Sequence, residues 1–166
     1  MTSAEAIAIE IEDGARVEWE LDALRMLEAG ESAEPAWRLR GELDWDAVDS
    51  LRLVTAAFEN GRLLALAAVR PAGADGHDEP PRGALVQPTG DIVALAETLL
   101  STEYDADGSP SRIGLELYPE PEAVPLRAAA DRSSPTRTHD GVEVTVMSFR
   151  LEGVSGSGVF ERVTRT

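Results

Sequence analysis

Cysteine and lysine are both missing from this chain of 166 residues. Without cysteine there are no disulfides, thiolate nucleophiles, Fe–S clusters or Cys-based zinc sites. Without lysine, the P-loop lysine, Schiff-base chemistry and lysine general bases fall away. Every basic side chain is one of 15 arginines. A GC-rich genome produces such a composition; a salt-adapted acidic surface is the sharper reading. Aromatics are scarce, at 5% of residues, and there are only two histidines. Long apolar runs are lacking too. The longest, Leu63 to Val69, is far too short to cross a bilayer. The opening Met1 to Glu10 has neither the basic n-region nor the apolar h-region of a signal peptide. The expectation is a cytoplasmic protein without membrane insertion.

Acids dominate what is present. Asp and Glu number 31 against the 15 arginines, for a net charge of -16. A field of that sign repels phosphate backbones, so nucleic acid is not an expected partner. The length suits one domain, 1–166, large enough to fold without disulfide or metal, with 1–14 as a peripheral N-terminal segment.

The pattern centres on Asp49 to Pro71, two apolar runs joined at Asn60-Gly61. Asn-Gly predicts a tight type I′ hairpin, because both residues tolerate positive φ. Pro71 ends the second run, having no N–H to give a ladder. Both runs are apolar on both faces, with Arg52, Arg62 and Arg70 towards their ends. A hairpin of that kind sits in the middle of a fold.

Period-two alternation marks Ile7 to Ile11, Val17 to Leu21, Trp37 to Trp45, Ile113 to Tyr118, Val142 to Leu151 and Ser155 to Val163. Segments 22–28 and 91–100 fit helix or strand equally. Pro71 to Arg82 and Asp131 to Asp140 read as loops, Asp105 to Gly108 as a hairpin turn, and Gly153 to Gly158 as a turn or bulge. The sum is an all-β, antiparallel barrel or sandwich of about eight to ten strands, with at most one or two short helices.

Several phrases carry a family likeness: Trp45-Asp-Ala-Val-Asp-Ser-Leu-Arg52, Phe58-Glu-Asn-Gly-Arg-Leu63, Tyr104-Asp-Ala-Asp-Gly108 with Arg112-Ile-Gly-Leu-Glu-Leu117, and Gly153-Val-Ser-Gly-Ser-Gly-Val-Phe-Glu161. Over roughly Arg16 to Arg162 the chain resembles one lipocalin-like half of the hydroxyneurosporene synthase (carotenoid hydratase)-like barrels. The resemblance implies a calyx for an apolar or polyene-like small molecule. Such proteins carry two barrels, and this chain has length for one. A site built between halves would be absent or supplied by a second copy, so no catalytic residue is carried over.

Candidate site residues follow from chemistry. His77 and His139 each sit among acids, but in turn-rich loops and without the HxH or HxxxH spacing that fixes a metal. Solvated loop histidines are the ordinary reading. His77 is the better candidate, because its loop follows the central strand and could fold over a barrel mouth. Trp45 and Tyr104 end strands, where a ring can face a cavity while its polar atom stays wet. Glu116 would matter only if its face points inward, where burial raises a carboxyl pKa. Asp105-Ala-Asp107-Gly108 lacks the further oxygen ligands of a calcium loop. No metal or cofactor is expected.

Three functions remain open: a calyx binding a hydrophobic small molecule through Trp45, His77, Tyr104 and Glu116; a hydratase or cyclase using carboxylate acid/base catalysis in the same cavity; or a structural protein that self-associates, as a homodimer for instance. A buried carboxyl with a raised pKa would separate the second from the first.

Overall fold

The computed structural model describes residues 6–12, 15–25, 37–73 and 81–164. A small sheet holds β1 (Ala6–Glu12), β2 (Ala15–Glu20) and β3 (Trp37–Gly41) in that order, and α1 (Leu21–Arg25) follows β2 directly. The large sheet contains β4 (Val48–Phe58), β5 (Leu63–Pro71), β6 (Arg82–Val86), β7 (Ile92–Ala94), β8 (Glu97–Tyr104), β9 (Pro110–Tyr118), β10 (Leu126–Arg132), β11 (Arg137–His139), β12 (Val142–Leu151) and β13 (Val154–Thr164). Its strand order is β7-β6-β5-β4-β13-β12-β10-β9-β8, with β11 on β12, and every pairing is antiparallel.

The central hairpin is β4–β5, and it lies inside the sheet as its pattern requires. Its turn differs from the type I′ expectation. Gly61 N–H donates to Phe58 O and Phe58 N–H to Arg62 O, each at 2.9 Å. Gly61 has φ +91°, whereas Asn60 is not left-handed. This is a three-residue loop closed by a glycine bulge. Asn60 contributes its side chain instead, its Oδ1 accepting from Arg62 N–H at 3.1 Å. The I′ geometry appears elsewhere, at Glu152-Gly153 between β12 and β13, with φ +48° and +85°.

Other expectations also shift. The alternation from Trp37 to Trp45 forms a strand only as far as Gly41; Asp44 to Ala47 is a turn closed by Ala47 N–H to Asp44 O. Segment 22–28 is helical as far as Arg25, and its remainder lies outside the described residues. Segment 91–100 is strand, interrupted at Leu95-Ala96. Half of the predicted 131–140 loop belongs to β10 and β11, so His139 is a strand residue. The run after Gly153 is neither turn nor bulge but β13 itself.

Alternation along β4 and β5 divides the core. Leu51, Leu53, Thr55 and Ala57 of β4, with Leu63, Ala65 and Ala67 of β5, form the outer face. The small sheet covers it with Ile7, Ile9, Val17 and Trp19, and α1 adds Leu24, all buried. Val54, Ala56, Phe58, Leu64 and Leu66 form the inner face. They bury against Ile113, Leu115, Leu117, Met147 and Phe149 from the far arm. That contact requires the sheet to curl on itself, and Leu95 N–H, beside β8, donates to Gly83 O of β6 at 3.0 Å. Each fully buried Leu or Phe is worth about 1.5–3 kcal/mol against exposure. Where the small sheet does not reach, the outer face is polar, as at Arg112, Arg127, Asp131 and Arg150.

Candidate functional site

The inner face is graded along the strands. One end, where β4 and β12 finish and β13 begins, is apolar. Phe58 and Phe149 meet edge-on there, with ring centroids 6.3 Å apart and planes at 89°. Both are cross-strand partners of Gly156, which leaves the space their rings fill. A Cβ on Gly158, the next inner-face position, would lie 2.1 Å from Thr55 O and 2.8 Å from Phe149 Cε1.

The other end is basic. Continuing the same alternation, β4 places Arg52 and Ser50 on the inner face, β5 Arg70, β13 Arg162 and β10 Arg132. Arg52 and Arg162 are directly opposite each other, and so are Ser50 and Arg70. Like charges in that arrangement repel unless an anion stands between them. Glu143 of β12 answers Arg162 at 3.2 Å, with Asp49 at 4.0 Å. Arg132 pairs with Asp105 and donates to Pro110 O at 3.4 Å. Thr145 shares a 2.7 Å hydrogen bond with Thr136. By contrast, the hydroxyls of Ser50, Thr98 and Thr102 are buried on this face without a hydrogen-bond partner.

The outer face carries a different polar feature. Trp19 and Trp37 are cross-strand neighbours in the small sheet. Each points an indole N–H into the large sheet: Trp19 Nε1 donates to Thr55 Oγ1 at 3.1 Å, and Trp37 Nε1 to Glu161 Oε2 at 2.9 Å. Glu161, 2% exposed, is the cross-strand partner of Leu53 and Val144. Burial pushes its carboxyl from 4.5 up to about 7, and the Trp37 bond only partly opposes this. Its Oε1 has no hydrogen-bond partner.

The sequence-predicted site residues are dispersed. Trp45 packs, half-buried, against the core between the two sheets. Tyr104 ends β8 at the basic end and is 53% exposed. Glu116 lies on the outer face of β9, where its carboxylate accepts from Tyr118 OH at 3.3 Å and sits 3.9 Å from Arg127 Nε. His77 lies outside the described residues. Sequence reasoning passed over Glu161. The available signal was an acid in phase with Val159 and Val163, but Phe160 between them made either face look apolar. Among the described residues no cluster of His, Asp and Glu is arranged to hold a metal, and no helix is long and apolar enough to cross a membrane.

No protein-family model and no curated protein matches the sequence. Solved structures match in fold. A candidate AttH protein of Nitrosomonas europaea superposes with a TM-score of 0.56 at 11% identity, over 76% of this chain and 42% of that one. Kievitone hydratase of Nectria haematococca gives 0.54 at 11% identity, over 80% and 46%. The fold is lipocalin-like. At such identity the likeness concerns the fold alone, and the chain spans less than half the length of either structure.

Proposed function

We propose that this chain is one lipocalin-like half of the carotenoid hydratase-like family and binds a hydrophobic small molecule against the inner face of its curled sheet. The observation that carries the reading is the trio Ser50, Thr98 and Thr102. An interior built only to be filled gains nothing from buried hydroxyls without partners, since each costs desolvation free energy. A ligand with polar substituents on an apolar frame would satisfy them.

Catalysis of the hydratase kind is the second reading. It is favoured by the fold shared with kievitone hydratase and by the raised pKa of Glu161. That carboxyl, however, belongs to the outer face, behind the sheet rather than inside it. Among the described residues, the carboxylate at an inner-face strand position is Glu143, which is paired with Arg162. The binding reading therefore takes precedence.

Native mass spectrometry tests it. The expected result is one apolar adduct per chain, lost on denaturation. Bare protein after incubation with a panel of polyenes and long-chain amphiphiles would sink the reading. Bare protein at dimer mass would replace it with self-association.

A further inference from the structure

Resting on that reading, we infer that the ligand lies along β8 as an apolar frame carrying two oxygen functions about 13 Å apart, met by Thr98 and Thr102. The two threonines stand four residues apart on one face of an extended strand, which sets that spacing. Both hydroxyls are buried, and neither has a hydrogen-bond partner. Leu100 lies between them on the same face, so the stretch against the middle of the ligand is apolar.

The ladder beside β8 supplies no partner. Its cross-strand neighbours are Leu117 for Thr98, Leu115 for Leu100 and Ile113 for Thr102, all apolar and buried. On the other side the ladder stops. β7 and β8 end the sheet order and are not paired with each other, although Leu95 N–H between them reaches Gly83 O of β6. That unclosed seam is where a ligand can lie against β8. Elsewhere the fold satisfies threonines that are buried as deeply: Thr55 accepts from Trp19, and Thr145 is bonded to Thr136. The pair on β8 is left out, on a strand that ends its sheet. A hydroxyl donates and accepts hydrogen bonds without carrying charge, so alcohol and carbonyl oxygens suit it.

Calorimetric titration of decanediol with a hydroxyl at each end, of decanol and of the shorter hexanediol tests this on the wild-type protein. Decanediol is expected to bind at least as tightly as decanol, although it has one more hydroxyl to desolvate. Hexanediol, too short to reach both threonines, should bind more weakly than either. Thr98→Val and Thr102→Val keep the shape of the side chain. Each should weaken decanediol about 5- to 10-fold, the worth of one hydrogen bond, and leave decanol unchanged, since decanol can use the remaining threonine. Decanediol weaker than decanol on the wild type, or a ratio that the variants do not move, would overturn the two-oxygen assignment and leave the binding face intact. So would failure of all three probes while longer amphiphiles of the mass-spectrometry panel bind. Failure of the whole panel as well would overturn the two readings together. The wild-type comparison stands whether or not the variants fold.

Discussion

β4 and β13 present two faces that share a backbone and differ in kind. Outside, indole N–H groups are matched to acceptors: Trp19 to Thr55 and Trp37 to Glu161. Inside, the hydroxyl of Ser50, five residues before Thr55 on β4, and those of Thr98 and Thr102 on β8 have no partner, and arginines stand towards one end. A face that only holds two layers together can satisfy most of its polar groups within the protein, Glu161 Oε1 being the exception on this one. A face that receives something else leaves part of its hydrogen-bonding capacity unused. The contrast assigns stability to the outer face and recognition to the inner one.

The strongest way to break that contrast is Trp19→Ala. It removes a fully buried indole from between the sheets and should cost about 3–5 kcal/mol, read as a lower urea midpoint. A loss below about 1 kcal/mol would mean the small sheet is not held through this face.

Glu161→Gln comes next. The folded carboxyl titrates at about 7 against 4.5 unfolded, so the native state carries an extra proton between those values. Its contribution to stability is full below pH 4.5, declines as pH rises through 7, and is flat beyond. The gap corresponds to about 3 kcal/mol. The variant keeps an acceptor for Trp37 and should flatten this part of the stability profile between pH 4.5 and 8, ending more stable than wild type at pH 8. An unchanged pH slope would show that Glu161 is not the group responsible.

The smallest effect sharpens the comparison on a single strand. Thr55→Val leaves Trp19 Nε1 unpartnered and should cost about 1–3 kcal/mol. Ser50→Ala removes a hydroxyl that bonds to nothing in the protein and should lie within about 0.5 kcal/mol of neutral, or be slightly stabilising. Chemical denaturation without ligand compares them directly. Equal losses would erase the distinction between the faces.

Period-two alternation and glycine-centred turns made most strands legible, from Ile7-Ile9-Ile11 to the closing pair β12–β13. β10 escaped because Leu126-Arg-Ala-Ala-Ala-Asp-Arg132 has no β-branched residue and little alternation. It is a strand because β9 and β12 supply ladders on both sides, a non-local cause that local pattern cannot carry. The Asn60-Gly61 hairpin was legible in place but not in turn type, which depends on how many residues the flanking register leaves over.

Composition and pattern by themselves determined an acidic, cysteine-free, antiparallel β fold with a doubly apolar hairpin at its centre. Which layer covers each face of that hairpin was a tertiary decision, because alternation separates two faces without saying what lies against them. The same holds for Glu161 and for the arginines. One carboxylate in a strand becomes a buried acid only when the small sheet docks over it, and four arginines spread from Arg52 to Arg162 become one basic end only when antiparallel pairing brings those strand ends together.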